Sequence, residues 1–154
     1  MKTRQPHMME FWVDGIPQTK GSARAFMPKK GARFPVVTND NPKNKKWARS
    51  VRIAAQNAMA QQAMAMITGP VKLYCVFYVP QPKRVKSGLE LSTTRPDLDK
   101  MVRSVGDALE GVCYKHDAQV SGIVATKFYS LKPGVQLTVE AFIANTGEYY
   151  AKKN

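Results

Sequence analysis

The sequence predicts an α+β fold, a mixed β-sheet covered by two α-helices, with elements in the order β-α-β-α-β-β. Three observations predict it. Two stretches, one opening at Pro42 and one at Leu98, repeat apolar residues at intervals of three and four, the helical period. Runs rich in β-branched and aromatic residues lie before, between and after them. A chain of 154 residues with 44% hydrophobic content can bury one core, so 1–154 reads as a single domain.

Taken in order, residues 1–8 form a tail, and Phe11, Trp12 and Val13 before the turn pair Asp14-Gly15 give a short first strand. Residues 18–38 mix Gly, Ala and Pro with Lys20, Arg24, Lys29, Lys30 and Arg33, interleaved with Phe26 and Phe34, and read as a mobile basic loop. Asn41 then suits an N-cap, with Pro42 in the first helical position where its missing N–H has no partner to lose. Trp47, Val51, Ala54, Ala55, Ala58 and Gln62 continue that helix, which ends before Gly69-Pro70. Val71 to Val79 is a strand, and Gln81 to Thr94, punctuated by Pro82 and Gly88, a loop. The second helix carries the cleaner stripe: Leu98, Met101, Val102, Val105, Ala108, Leu109 and Val112 face one side, the core. Two strands close the chain, Gln119 to Tyr129 and Val135 to Ile143, joined through Lys132-Pro133-Gly134 as a hairpin turn, and residues 146–154 form a polar tail.

The formal charge of +13, with a pI near 9.9, predicts attraction to a polyanion. Nucleic acid fits better than anionic membrane, because no long helix pairs a basic face with a bulky apolar one. No run approaches the roughly 18 apolar residues of a membrane span, and Met1 to Glu10 lacks the apolar centre of a signal peptide, so a cytoplasmic location is expected. Cys75 and Cys113 lack metal-type spacing and read as reduced core residues.

Acidic residues are scarce, yet Asp97, Asp99, Asp107, Glu110 and Asp117 crowd into one stretch. Asp97 and Asp99 flank Leu98 at the entry to the second helix. Within a regular helix they would diverge by about 200°, at roughly 100° per residue, so they share an ion only if Asp97 precedes the first turn. Clustered carboxylates are the ligands Mg²⁺ prefers. The alternative for this pair is helix capping and the helix dipole, and for Asp117 a turn at strand entry. Asp107 and Glu110 read as a solvated helix face, with Asp107 paired to Arg103 four residues earlier.

Arg95-Pro96-Asp97-Leu98-Asp99-Lys100, then Asp107-Ala108-Leu109, then His116-Asp117-Ala118-Gln119-Val120 resemble the RusA-type Holliday junction resolvases, many of them prophage-encoded. The match is strongest over 94–120 and extends loosely to Lys20-Gly21-Ser22-Ala23-Arg24 and to the order of elements. The resemblance implies a homodimeric, Mg²⁺-dependent endonuclease, with Mn²⁺ as a substitute, that makes paired nicks across a four-way DNA junction during recombination and repair. It carries the metal onto Asp97, Asp99 and Asp117 of each protomer. Two positions depart from the family pattern. Arg103 stands where the family has a lysine one turn after the second aspartate; it keeps the charge but does not readily lose a proton. His116 replaces an acid, and is open to three roles: surface residue, phosphate contact or outer partner of the metal. His7, in the tail, carries no argument.

On this reading Asp97, Asp99 and Asp117 hold the ion, and Arg103 with Lys100 stabilises charge on the phosphate. DNA contacts fall to Lys20, Arg24, Lys29, Lys30 and Arg33 in the loop and to Lys43, Lys45, Lys46 and Arg49 at the start of the first helix. Two histidines are too few for a histidine-metal finger nuclease, and no Glu-x-Lys element follows Pro96-Asp97 as a restriction enzyme would require. The rival from another class is a non-catalytic DNA-binding or architectural protein, which explains the charge but not the acids beside Arg95.

Overall fold

A computed structural model describes residues 7–142 apart from 22, 28, 29, 32, 40 and 87, and at 23, 24, 38 and 39 it describes the backbone alone. The elements are β1 (Met8–Asp14), β2 (Ala23–Phe26), β3 (Val36–Asn39), α1 (Lys43–Gln61), β4 (Val71–Pro80), α2 (Leu98–Leu109), a 3-10 turn at Asp117–Gln119, β5 (Val120–Ser130) and β6 (Gly134–Ala141). The α+β class and the six-element order hold, with β2 and β3 added.

The main sheet runs β1-β6-β4-β5, antiparallel except for the parallel pair β4 and β5. Central β4 explains itself: it is apolar at almost every position, and Val71, Leu73, Cys75, Phe77 and Val79 are all buried on one face. Each such side chain contributes on the order of 1.5–3 kcal/mol relative to exposure. The helices lie on that face. Trp47, Val51, Ala55 and Ala58 of α1 and Met101, Val105, Ala108 and Leu109 of α2 belong to the same buried cluster as Met9, Phe11 and Val13 of β1. Arg52 Nε of α1 donates to Ala108 O of α2 at 3.1 Å, and buried Ser104 donates to Asn44 Oδ1. Cys75 and Cys113 are free and buried, and burial pushes both thiols up to about 12.

Five expectations change. The segment 18–38 is not wholly loop, since β2 and β3 pair antiparallel from Ala23↔Asn39 to Phe26↔Val36; the strand formers Phe26, Val36 and Val37 outweigh the surrounding turn residues. Helix α1 begins at Lys43, with Pro42 outside it and Asn41 Oδ1 accepting from Lys43 N at 3.2 Å. It also ends early, at Gln61; Ala63 then takes a φ of 51°, so Met64 and Met66 lie beyond the helix. Met8, expected in the tail, pairs with Glu140. The tail residues 1–6 and 146–154, and Ile143 at the end of the last strand, lie outside the described residues.

The fifth change matters most for topology. β5 and β6 do not form a hairpin, because β4 lies between them. Tyr78 of β4 pairs with Phe128 of β5 on one side and with Gly134 of β6 on the other, and β4 ends two residues later at Pro80. Residues 131–133 therefore step across the end of β4. The parallel β4 and β5 need a crossover, and α2 supplies it.

Candidate active site

The parallel crossover fixes where the acids fall. The chain leaves the end of β4, enters α2 through 81–97, and returns along α2 to the start of β5. Asp97 and Asp99 thus belong to the end of the sheet where β5 finishes, and Asp117 to the end where it begins.

Asp97 is the residue before α2, with φ −70° and ψ 132°, an extended conformation. The condition set by the sequence, that it precede the first turn, is met. Its carbonyl opens the helix by accepting from Met101 N at 3.2 Å, and its carboxylate meets Lys100 Nζ at 3.3 Å. Asp99 is exposed in the first turn and lines a shallow groove of about 810 Å³ with Leu98, Val102, Arg103, Ile123 and Ala125. Among the described residues neither the Asp99 carboxylate nor the exposed Arg103 guanidinium has a hydrogen-bond or ion-pair partner. Lys100 O accepts from Lys20 N at 3.2 Å, which brings the basic segment against this end of α2.

Asp117 is not with them. It opens the 3-10 turn at the other end of α2, where its N–H donates to Glu110 Oε1 at 3.3 Å. Twelve helical residues separate the two ends, about 18 Å at 1.5 Å per residue. No group of three or more His, Cys, Asp or Glu close enough to hold an ion occurs among the described residues. The gathering of all three aspartates within one protomer is therefore absent from the single chain. Gln119 explains the fixity of the turn: its Oε1 accepts from Lys115 N and His116 N, both at 2.9 Å, and its Nε2 donates to Ile67 O and Gly69 O at 2.9 and 3.0 Å.

Asp97 and Asp99 still suit a hard divalent ion. Both are exposed oxygen donors, and Mg²⁺ is commonly held by one or two carboxylates with waters and substrate phosphates completing its shell. His116 is exposed beside Asp117, far from the pair.

Other expected pairings shift. Asp107 forms its ion pair with Lys20 rather than Arg103, so Lys20 is tied to α2. Glu110 is half-buried and engaged by Asp117 N instead of solvated. Lys30, Arg33, Lys43, Lys45, Lys46 and Arg49 are exposed. Lys29 and the Arg24 side chain lie outside what the structure describes.

Sequence alone assigns no role to Lys127 or Tyr129, which sit on the helix-covered face of β5 opposite Phe77 and Val79. Lys127 Nζ donates to Thr94 O at 2.6 Å and to Pro96 O at 2.8 Å, on either side of the cis Arg95-Pro96 peptide. Tyr129 Oη accepts from Thr93 N at 3.3 Å and Arg84 Nη2 at 3.2 Å, and lies 2.9 Å from Thr94 Oγ1. The Thr94 hydrogen bond leads in lowering this phenol to about 7, against the burial that raises it. The signal in the sequence is two polar residues at core-facing positions of a strand.

A basic α+β chain with paired aspartates at a helix entry is a recognisable kind of nuclease: the profile of the family Endodeoxyribonuclease RusA matches residues 17–140, and the chain belongs to that family. It is an endonuclease, a Holliday junction resolvase of DNA recombination whose family acts on branched DNA. A protein of Bacillus subtilis (strain 168), described as uncharacterized protein YqaN, is 33% identical over 141 residues, 85% of this chain and 94% of that protein. Family membership sets aside the non-catalytic alternative. No helix among the described residues is long and apolar enough to cross a membrane.

Proposed function

We propose that this resolvase is Mg²⁺-dependent, serves recombination and repair, and works as a homodimer whose two sites are each built from both copies. Asp97 and Asp99 come from one protomer and Asp117 from the other. The observation that carries the reading is that Asp97 and Asp99 are both exposed at the entry to α2, with Asp99 sharing a groove with Arg103, in a chain of formal charge +13 that would otherwise repel cations.

β5 supports the shared site. It is an edge strand whose outer side is covered only near its end, by a bridge from Leu91 to Phe128 and bonds between 90–92 and 127–129. Earlier in the strand, Ile123 and Val124 are each 50% exposed on an uncovered edge, which is what a pairing strand needs. Two copies paired antiparallel about Ile123 bring the second copy's residue 119 opposite Lys127. The residues of that copy that precede its β5, Asp117 among them, would then run toward the covered end of the strand, where Lys127 Nζ holds Pro96 O one residue from Asp97. A two-fold enzyme also matches the paired, equivalent strands of a four-way junction.

When bound, the ion supplies Lewis acidity toward the phosphate and lowers the pKa of the attacking water. The chain's own residues do the rest. Asp97 and Asp99 would hold the ion at the helix entry, Arg103 would offer its guanidinium to the phosphate oxygens, and Lys100 balances Asp97. Lys30, Arg33, Lys43, Lys45, Lys46 and Arg49, with Arg24 and Lys29 beside them in sequence, bind the DNA arms. The test is nicking of a synthetic four-way junction with and without Mg²⁺. Asp97→Asn or Asp99→Asn abolishes cleavage and leaves junction binding intact or tighter, because each removes negative charge from a DNA-facing site. Retained cleavage rejects the ligand assignment.

A further inference from the structure

Lys127 stands in an unusual place. It lies half-buried on the side of β5 that faces α2, in line with Ile123, Ala125 and Tyr129, and its ammonium has three donors to place. Two of them are taken by the carbonyls of Thr94 and Pro96 at 2.6 and 2.8 Å. The rest of that segment is fastened to the same stretch of β5. Ser92 N donates to Lys127 O at 2.9 Å, Tyr129 N donates to Glu90 O at 2.8 Å, and Tyr129 Oη takes Thr93 N. Pro96 O shares a peptide plane with Asp97 N and Cα, so the ammonium fixes the plane from which the Asp97 side chain departs. On the other side Asp97 O is held by Met101 N at 3.2 Å.

We propose that Lys127 is a positioning residue: by holding the Thr94 and Pro96 carbonyls it sets the Asp97 carboxylate against Asp99 and thereby sets the affinity of the site for its divalent cation. This rests on Asp97 and Asp99 being the ligands. Asp99 belongs to the helix and cannot follow if the segment before Asp97 drifts. Mg²⁺ demands near-ideal octahedral geometry, and site geometry must hold within about 0.5 Å. Residues that orient metal ligands typically change metal affinity by about 10–100-fold when removed.

The test compares Lys127→Met, Lys127→Gln and Asp97→Asn with wild type. Mn²⁺ binding to the DNA-free protein is read by electron paramagnetic resonance, junction binding in EDTA by gel shift, and cleavage as a function of Mg²⁺. Lys127→Met binds Mn²⁺ about 10–100-fold more weakly and needs correspondingly more Mg²⁺ for half-maximal cleavage. It approaches the wild-type rate at saturating Mg²⁺ and binds the junction normally in EDTA, a pattern that a general loss of folding does not produce. Lys127→Gln, uncharged and one atom short of the carbonyls, shows a smaller loss in the same direction, and decides the matter if Lys127→Met does not fold. Wild-type Mn²⁺ affinity in these variants, or weakened junction binding with an unmoved Mg²⁺ requirement, overturns the positioning role. Asp97→Asn separates the premises. If it binds Mn²⁺ and cleaves like wild type, the ligand assignment falls and the proposal with it; if it is inactive while the Lys127 variants keep wild-type affinity, only the proposal falls.

Discussion

Gly134 shows how tightly single positions are constrained. It begins β6 opposite Asp14 and Tyr78, and a β-carbon there would run into the Trp12 ring and lie 2.6 Å from Val13 O. Trp12 is itself held against Tyr78 at 5.6 Å between ring centroids, and its Nε1 donates to Asp14 Oδ1 at 2.7 Å, so moving the ring aside sacrifices those contacts. Gly134→Ala therefore destabilises the fold by about 1–3 kcal/mol, as overpacking does. A thermal melt checks it; an unchanged midpoint would mean that the ring moves freely. In sequence this glycine reads only as part of a turn, since nothing local reveals that an indole from β1 lies over it. The same holds for Gln119 and Lys127, whose partners are about 50 and 31 residues away. Asp97 and Asp99 stood out in the sequence as candidates because what marks them is local: two acids two apart, at a helix entry, in a basic chain. Their separation from Asp117 did not, because it depends on the direction in which α2 returns.

At the scale of elements, periodicity was a sound guide where burial is one-sided. The stripe of α2 and the apolar run of β4 found the right face, and their buried residues form the core. It failed where topology decides. β5 and β6 are consecutive strands with a turn between them, and sequence favours a hairpin; only the preference of both for β4 explains their separation. The hairpin of β2 and β3 was hidden in a segment dominated by cations and small residues. α1 shows a division of labour along one helix. Arg52 is engaged by Ala108 O, while Lys43, Lys45, Lys46 and Arg49 remain exposed on the first two turns. If those turns lie along a DNA arm, replacing Lys45, Lys46 and Arg49 by Gln flattens the log–log salt dependence of junction binding by roughly 0.9 for each duplex phosphate no longer neutralised. Fluorescence anisotropy over a salt titration measures this slope. An unchanged slope would place the DNA path away from α1.

The whole molecule poses the problem that neither residue nor element resolves: a nuclease chain whose three candidate ligands lie at two ends of one helix, with half of an edge strand uncovered between them. The proposed second copy on β5 would answer both at once, covering Ile123 and Val124 and carrying its Asp117 toward Asp97. Mixing two inactive proteins tests this most directly. In a heterodimer of Asp97→Asn with Asp117→Asn, a shared site built from the intact Asp97 of one and the intact Asp117 of the other is complete, and its counterpart carries both lesions. Co-refolded mixtures then regain Mg²⁺-dependent nicking of one strand of the four-way junction, although neither parent cleaves. If verified heterodimers stay as silent as their parents, each site draws its acids from one chain, and no second copy completes it.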